Sequence, residues 1–287
     1  MQRYWVLFST TVRKSSQSTI IIKEANTAIS INIITVTRIM YRLKKSVKTV
    51  MLDIHTHFLP QMDDGPKSVN ESKQMLRESL SQGVEICVAT PHCIIHKSTD
   101  ITDFIDRRNE RYSCLTEELE ADRLAYPEIK LGAEVYLDND ISGYEDVKSV
   151  CIGNSPYMLI ELPRHIKTAL LSEWIYYLSL KGIKPVIAHI DRYVNWKELV
   201  SELGNEEIIY QVNASRFLSF RGRRFISRFY KYSGMFLVSS DMHNMSSRKC
   251  NMQRAYEIAL KRYGSSACEM FGNTAKIIIE SKDLVKL

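Results

Sequence analysis

After residue 50, short apolar runs alternate with longer segments of mixed polarity. The short runs are rich in Val and Ile, which is typical of β-strands. They predict strands over residues 51–56, 85–90, 129–135, 157–161, 184–189, 208–212 and 235–240. The segments between and after them predict helices over residues 71–81, 102–124, 168–181, 196–203, 221–232 and 252–263. Several of these helices are followed by a glycine, as expected of helix C-caps.

This alternation of strand and helix predicts an α/β fold with parallel strands and helices outside them. Seven strands within residues 51–287 favour a barrel-like arrangement over an open sheet, although the pattern leaves the open sheet as an alternative. In either case the active site is expected at the carboxyl ends of the strands.

Metal-ligand residue types stand at the ends of six of the seven predicted strands. His55 and His57 are two residues apart on the first strand, so both imidazoles point the same way. In the acidic pair that follows, Asp63 is expected to shape the turn and Asp64 to be the ligand. The later strands end in His92, Glu134, Glu161, His189, and the pair Asp241 and His243. This recurrence predicts a multi-metal site.

The chemistry of this residue set points to phosphoester hydrolysis. Imidazole and carboxylate ligands without thiolate suit Mn, Fe, Zn or Mg, and Glu134 and Glu161 could bridge two or three ions. Paired ions can deprotonate a water and clamp a leaving oxygen. Arg192 and Arg248 follow the fifth and seventh strands, where a guanidinium could bind phosphate oxygens. Asp191 is expected to hold Arg192 as an ion pair.

Composition narrows the class of protein. Hydrophobic residues make up 45% of the chain and charged residues 25%, as in ordinary globular proteins. The net charge of +6 is unevenly distributed along the chain. Residues 1–50 hold nine Lys or Arg and one acid, whereas residues 51–287 hold 30 Lys or Arg and 32 Asp or Glu. Nucleic-acid binding by the main domain is therefore not expected. The sequence shows no transmembrane segment, since no apolar run approaches about 20 residues.

The six cysteines argue for a reducing compartment and against one phosphatase mechanism. They are scattered without a CxxC pair, which indicates reduced thiols and a cytoplasmic protein. A cysteine phosphatase needs an arginine six residues after its nucleophile, and none of the six cysteines has one.

Residues 1–50 differ sharply from the rest of the chain. All eleven Gly, seven Pro, seven His and six Cys fall after residue 50. The segment could be a non-native upstream translation with Met51 as the true start, which we favour. It could instead be a basic tail, disordered or surface-binding, or a targeting segment. We expect a basic extension over residues 1–50 outside the fold, and a metallophosphatase domain over residues 51–287.

From about Met51 to the carboxyl terminus, the chain resembles the bacterial tyrosine-protein phosphatases of capsular and exopolysaccharide synthesis, in the polymerase and histidinol phosphatase (PHP) superfamily. The matching segments are Asp53-Ile54-His55-Thr56-His57, Asp63-Asp64-Gly65, Ala89-Thr90-Pro91-His92, Gly132-Ala133-Glu134, Ile187-Ala188-His189-Ile190-Asp191-Arg192-Tyr193 and Ser240-Asp241-Met242-His243-Asn244. Asp191 departs from the pattern, since relatives often carry Glu there, but Arg192 is kept.

The resemblance implies a distorted seven-stranded (βα)7 TIM-like PHP barrel with a two- or three-metal site, usually manganese-dependent. The implied ligands are His55, His57, Asp64, His92, Glu134, Glu161, His189, Asp241 and His243. Arg192 and Arg248 would bind phosphate, so that these arginines, Asp241 and His243 form the expected catalytic group. The implied substrate is the phosphotyrosine tail of a membrane-associated tyrosine autokinase that regulates polysaccharide export.

In the hypothesised mechanism, hydroxide activated by the metal attacks the phosphotyrosine phosphorus in line. Three alternatives stay open at this point. One is a PHP-type phosphoesterase acting on histidinol phosphate or nucleic acid, and another is a non-catalytic kinase-binding regulator, against which the intact ligand set argues. The third is a metal-dependent amidohydrolase, which the missing lysine-type metal bridge weakens.

Overall fold

The computed structural model divides the chain into two compact units, residues 1–49 and 50–287. It describes the backbone of residues 13–14, 19–24 and 27–32 in the first unit, and residues 50–204, 207–233 and 236–281 in the second. In the first unit the strands Arg13–Lys14, Thr19–Glu24 and Thr27–Asn32 pair in an antiparallel sheet. The expectations for the remainder of residues 1–49 lie outside the described residues.

The second unit is an α/β fold with parallel strands. Its strands are β1 (Met51–Thr56), β2 (Val84–Ala89), β3 (His92–Ile94), β4 (Glu128–Leu131), β5 (Glu134–Tyr136), β6 (Tyr157–Glu161), β7 (Lys184–Ile187), β8 (Ile209–Asn213) and β9 (Phe236–Ser239). They form one sheet in the order β9-β8-β7-β6-β5-β3 and a second in the order β1-β2-β4. Every pairing in both sheets is parallel, as the alternation of elements predicts.

Helices connect most of these strands. They are α1 (Val69–Ser81), α2 (Ser98–Asp122), α3 (Thr168–Leu180), α4 (Trp196–Leu203), α5 (Phe220–Ser233), α6 (Met252–Tyr263) and α7 (Ser265–Glu280). Three 3-10 turns cover Glu145–Val150, Ile190–Arg192 and Ala214–Leu218. No helix in the described part of the chain is both long and apolar enough to cross a membrane.

The division into two sheets differs from the single seven-stranded barrel expected from sequence. The second predicted strand continues as β3 after Thr90 and Pro91, and the third is split into β4 and β5 around Gly132. Proline has no N–H to donate to a sheet. At the second break, the Gly132 N–H donates to the Ala89 carbonyl at 2.8 Å, and an added Cβ would lie 3.3 Å from Val88 and Ile152 side-chain atoms.

Backbone hydrogen bonds also join the free edges of the two sheets near the site. Thr56 forms an isolated parallel bridge with Met242, which lies just beyond β9. The Asp241 N–H donates to the His55 carbonyl at 2.9 Å, and the His57 N–H donates to the Met242 carbonyl at 2.9 Å. The end of β1 is therefore held directly against the segment that follows β9.

Two apolar clusters form the core. The larger one packs the helices against the sheets, and the smaller one gathers buried residues from six strands and α7. In the smaller cluster, Leu52, Leu159 and Leu237 are at most 2% exposed and pack with Ala275 and Ile278 of α7. Burying a leucine or isoleucine stabilises a fold by about 1.5–3 kcal/mol, so α7 is an integral part of this domain.

Candidate metal centre

The first two histidines of the site are fixed by β1 and by the loop that follows it. His55 and His57 are both buried, and their Nε2 atoms lie 3.2 Å apart. In the loop, Asp63 Oδ1 accepts a hydrogen bond from the Gly65 N–H at 2.9 Å, while its Oδ2 lies 2.7 Å from His57 Nδ1. Asp63 therefore shapes the turn, as expected, and also orients the His57 ring, a role that the sequence did not predict.

Glu134, the first residue of β5, brings its carboxylate to the centre of the histidines. Its Oε2 lies 3.2 Å from the Nε2 atoms of His55 and His57 and 3.1 Å from His92 Nδ1. Its Oε1 lies 2.8 Å from His189 Nε2, and Glu161 at the end of β6 lies 3.6 Å from the same nitrogen. One buried carboxylate therefore touches four imidazoles.

A second group lies on the more exposed side of the same cluster. The rings of His57 and His243 stack with their centroids 3.7 Å apart. Asp64 Oδ1 lies 3.2 Å from His243 Nε2 and 3.4 Å from His92 Nε2. The Asp64 side chain is 60% exposed, so this group faces the opening of the site.

Eight of the nine predicted ligands form three sets whose ligand-type atoms lie within 4.8 Å of one another. These sets are His57, Asp64, His92 and His243; His55, His57 and Asp241; and His92, Glu134 and Glu161. The ninth predicted ligand, His189, contacts the third set through Glu134. His57 and His92 each belong to two sets, so the sets are contiguous.

Unsatisfied buried atoms indicate that this cluster fits divalent ions. Glu134 Oε2, His189 Nδ1 and His243 Nε2 are buried and form no aligned hydrogen bond. Buried polar atoms usually find a partner, and leaving them without one is costly. Imidazole nitrogens and carboxylate oxygens are the ligands that Zn, Mn and Fe accept. The residues present therefore match a multi-metal centre.

Opposite charges set the protonation of the cluster without ions. Burial lowers the pKa of His55, but the Glu134 and Asp241 carboxylates outweigh it and raise that pKa to about 9. Burial favours the neutral form of Glu134, yet its imidazole neighbours hold its pKa well below the usual range. Burial and the nearby His57 lower the pKa of His243. The protonated form is thus favoured at His55, beside Glu134, and the neutral form at His243, which stacks on His57.

Two residues of the site have strained backbones. His189, just after β7, has φ +30°, and Asp241, just after β9, has φ +53°. For residues other than glycine this region costs about 1–3 kcal/mol and tends to occur at functional sites. Both residues follow the carboxyl ends of their strands, where the proposed ligands gather.

The two predicted phosphate-binding arginines flank Asp241. Arg192 contacts Asp241 Oδ2, and Arg248 Nη2 donates to Oδ1 at 2.8 Å. Arg248 Nη1 also donates to Asp64 Oδ2 at 3.2 Å. Burial opposes ionisation of Asp241, but His55 and the two arginines lower its pKa to about 2.

The predicted ion pair between Asp191 and Arg192 is wrong. Asp191 Oδ2 accepts from Arg216 Nε at 2.6 Å, and Arg216 Nη2 also donates to the Asp191 carbonyl at 2.6 Å. The 3-10 turn Ile190–Arg192 directs neighbouring side chains in different directions. Asp191 therefore holds Arg216, while Arg192 pairs with Asp241.

Two polar residues of β8 support the cluster, although the sequence analysis did not select them. Gln211 Oε1 lies 3.2 Å from His55 Nδ1 and accepts from the His189 N–H. Asn213 Nδ2 donates to Asp241 Oδ2 at 2.9 Å. A glutamine within the apolar run of residues 208–212 was the available signal, because buried amides need partners.

Two cavities meet at Arg192, and the larger of them adjoins the centre at Asp241. One, of about 380 Å³, is lined by Arg192, Asp241 and Arg248 together with residues that follow β8 and β9. The other, of about 210 Å³, has apolar walls that include Ile166, Leu171 and Tyr193. Both are open to a ligand that contacts Arg192.

Comparisons with known proteins agree with this geometry. The model of a capsular polysaccharide synthesis family, CpsB/CapC, matches residues 51–280. The tyrosine-protein phosphatase CpsB of Streptococcus pneumoniae is 33% identical over 258 residues, covering 80% of this chain and 99% of that protein. The tyrosine-protein phosphatase YwqE of Bacillus subtilis is 27% identical, covering 82% of this chain and 94% of its own.

A solved structure is also similar. It comes from crystallographic work on YwqE from B. subtilis and CpsB from S. pneumoniae, described there as unique metal-dependent tyrosine phosphatases. It covers 81% of this chain and 96% of its own, with a TM-score of 0.67 and 26% sequence identity.

Proposed function

Because the chain belongs to the CpsB/CapC family of capsular polysaccharide synthesis, we propose that it is a metal-dependent protein-tyrosine phosphatase acting in that synthesis. The observation that carries the proposal is the contact of Glu134 with four imidazoles beside two arginines. The curated relatives named above are tyrosine-protein phosphatases, and they are matched over nearly their whole length.

The nine clustered residues are proposed to hold two or three divalent ions, with Mn²⁺ as the favoured metal. They are His55, His57, Asp64, His92, Glu134, Glu161, His189, Asp241 and His243. Supporting observations are their spacing, the absence of cysteine from the three described ligand sets and the unsatisfied atoms of Glu134, His189 and His243. Such ions lower the pKa of water and offset the charge of a phosphate.

Arg192 and Arg248 are proposed to bind the phosphate oxygens. Their side chains are 29% and 33% exposed, and each contacts Asp241 through only part of its guanidinium. A guanidinium has five N–H donors, so donors remain for a ligand in the opening. With Asp241 between them, the two arginines would hold a phosphate in the larger cavity, on the side next to the proposed metal ligands.

The tyrosine portion of the substrate also has a suitable place. The smaller cavity presents Ile166, Leu171 and Tyr193 beside Arg192, which offers an apolar wall for an aromatic ring. A tyrosinate leaving group has a reference pKa near 10 and so needs little help from an acid. This wall favours phosphotyrosine over the polar histidinol phosphate.

The proposed function also suggests a substrate, a cellular location and a domain arrangement. We take the substrate to be the phosphorylated tail of a membrane-associated tyrosine autokinase. A cytoplasmic location is supported by the six free cysteines. We further propose that residues 51–287 form the catalytic domain, and that its two sheets are the parts of one distorted seven-stranded barrel. The bridge between Thr56 and Met242 supports that arrangement.

The test is hydrolysis of a phosphotyrosine peptide by the full chain, first treated with chelator and then given Mn²⁺. Activity should vanish with the chelator and return with the metal. His55→Ala and Asp241→Ala should abolish the restored activity, since each removes a side chain from the centre. His96→Ala is the matched control, because His96 is 63% exposed and lies outside the cluster.

Two comparison substrates sharpen the result. Histidinol phosphate and a phosphoserine peptide of the same sequence should be hydrolysed far more slowly. Faster hydrolysis of histidinol phosphate would support the alternative PHP-type phosphoesterase. A folded protein without activity toward any of these substrates, with any divalent metal, would reject the phosphatase proposal.

A further inference from the structure

The larger cavity beside Arg192 extends away from the metal centre along the segments that follow β8 and β9. Beyond the residues that it shares with the centre, its walls include Ser215, Arg216, Ser219, Ser247, Lys249 and Asn251. We call this part the flanking cavity. At about 380 Å³ the whole cavity is large enough to hold a side chain next to a phosphotyrosine.

The charged groups of the whole cavity favour an anion. Four cationic side chains line it, against the two carboxylates of Asp191 and Asp241. Both carboxylates already form ion pairs with arginines. Asp191 pairs with Arg216, and Asp241 pairs with Arg192 and Arg248. Within the described residues the Lys249 ammonium forms no ion pair, so its charge remains for a ligand.

Neutral donors reinforce this preference. Ser215 and Ser247 are exposed residues, and their hydroxyls form no hydrogen bond to any described residue. The helices α5 and α6 begin next to the cavity, after Ser219 and Asn251 respectively. The amino-terminal ends of helices carry partial positive charge, which adds to that of the cations.

From these observations we propose that the flanking cavity is a subsite for a second anionic group of the substrate peptide, a carboxylate or a phosphate on a residue near the phosphotyrosine. The inference rests on the proposed function, because the phosphotyrosine bound by Arg192 and Arg248 would position its neighbour there. Arg216 is held in place by Asp191, and Lys249 supplies the unpaired charge.

The experiment uses the full chain loaded with Mn²⁺ and a set of phosphotyrosine peptides. One flanking residue at a time is alanine, glutamate or phosphoserine, with the rest of the sequence unchanged. At one or more positions, kcat/KM should rise about three- to tenfold over the alanine peptide, as a charge-assisted contact at a partly exposed site allows. The glutamate and phosphoserine arms show which anion is preferred.

In Lys249→Ala, the ratio of kcat/KM for the anionic peptide to kcat/KM for the alanine peptide should fall close to one, mainly because KM for the anionic peptide rises. Lys249→Arg should keep most of this preference. Lys261→Ala is the matched control, because Lys261 is an exposed lysine in the last turn of α6, distant from the cavity. The preference should also weaken as salt is added, because the contact is electrostatic.

The outcomes separate the two proposals. Hydrolysis of all peptides at similar rates, or a preference that Lys249→Ala leaves unchanged, would overturn the subsite and leave the phosphatase intact. Hydrolysis of none of them would reject the phosphatase and the subsite together.

Discussion

At the scale of single residues, Asp63 shows how a side chain next to the centre controls a ligand. Its carboxylate lies 2.7 Å from His57 Nδ1 and accepts from the His92 N–H at 3.0 Å. Burial opposes its ionisation, but the hydrogen bond from His57 holds the pKa of Asp63 below its usual range. A carboxylate in this position fixes the tautomer and orientation of a metal-binding imidazole.

We therefore expect Asp63→Asn to weaken metal binding about 10–100-fold, as loss of such partners commonly does. The affinity can be measured by competition with a chromophoric chelator. Excess Mn²⁺ should restore much of the activity, because Asp63 is not itself among the proposed ligands. Asp138→Asn, a change near the exposed His96, is the control. Unchanged metal affinity in Asp63→Asn would show that His57 is held by other contacts.

The protonation of His55 predicts how metal binding depends on pH. Its pKa in the metal-free protein is raised to about 9 from an ordinary value of 6.5. Between these values a binding ion must displace a proton that the folded protein holds. The stabilisation that Glu134 and Asp241 give to protonated His55 is complete below about pH 6.5 and is lost as the pH rises through about 9.

Apparent affinity for Mn²⁺ should consequently rise with pH by up to about tenfold per unit over this range and level off above it. Calorimetric titration in buffers of different ionisation enthalpy would measure both the affinity and the protons released. An affinity independent of pH, with no proton release, would mean that His55 is already neutral in the metal-free protein.

At the scale of elements, a close approach between α5 and the preceding 3-10 turn positions Arg216. The α5 residue Gly222 has no side chain, and an added Cβ would lie 2.0 Å from the Arg216 carbonyl oxygen. It would also lie 2.8 Å from Ser219 Oγ, which accepts a hydrogen bond from the Gly222 N–H. Glycine lets the first turn of α5 pack directly on this backbone.

Replacing a helical glycine with alanine usually stabilises a helix by about 0.5–1 kcal/mol. Here we expect the reverse, a loss of about 1–3 kcal/mol from overpacking, measured as a lower unfolding temperature. Gly143→Ala is the matched control, because a Cβ at Gly143 would meet no atom within 4 Å. A Gly222→Ala variant as stable as the wild type would contradict this expectation. It would mean that α5 and the 3-10 turn Ala214–Leu218 can move apart at little energetic cost.

The comparison of elements shows what the sequence could predict. The first and fourth predicted strands and the helices Trp196–Leu203 and Met252–Tyr263 have the predicted bounds. Helix α7 was not predicted, because the sequence places Gly272, a poor helix former, within it and because the isoleucines at 277–279 favour strands. The breaks around Pro91 and Gly132 were also missed, since they depend on how two sheets meet rather than on local preference.

The candidate site was more predictable than the sheets around it. Eight of the nine proposed ligands were selected because histidines and carboxylates recur where parallel strands end, and Asp64 was selected from the acidic pair that follows the first strand. The hydrogen-bond and ion-pair partners of the site residues were harder to predict from the sequence. Asp191 pairs with Arg216, 25 residues away, and Gln211 reaches His55 across the fold. Such pairings depend on the direction in which a side chain points after a turn. That direction cannot be predicted from the residues adjacent in the sequence.

At the scale of the whole molecule, the first prediction concerns residues 1–50. They carry nine basic residues and one acid, in contrast to the nearly balanced remainder. The chain divides at residue 49, and the family model begins at residue 51. We expect a protein of residues 51–287 to keep its fold and its kcat/KM for a phosphotyrosine peptide. A large loss of either would assign the extension a role in the catalytic domain.

The last prediction concerns the two sheets, which the proposed ligands connect. His55 and His57 belong to the β1 side, in the three-stranded sheet, whereas Glu134 and Glu161 belong to the six-stranded sheet. Ions bound between them would join the sheets at the site, in addition to the backbone hydrogen bonds near Thr56 and the apolar cluster that the two sheets share. Because the unfolded chain has no such arrangement of donors, metal binding should stabilise the folded domain as a whole.

At a free metal concentration of 100 times Kd, the stabilisation is about 2.7 kcal/mol per ion. For a domain of this size it should raise the unfolding temperature by about 5–11 °C. Calorimetry with chelator and with Mn²⁺ measures the shift, which His96→Ala should preserve and Glu134→Gln should largely remove, since Glu134 contacts four imidazoles. Equal unfolding temperatures with and without Mn²⁺ would contradict a centre that links the two sheets.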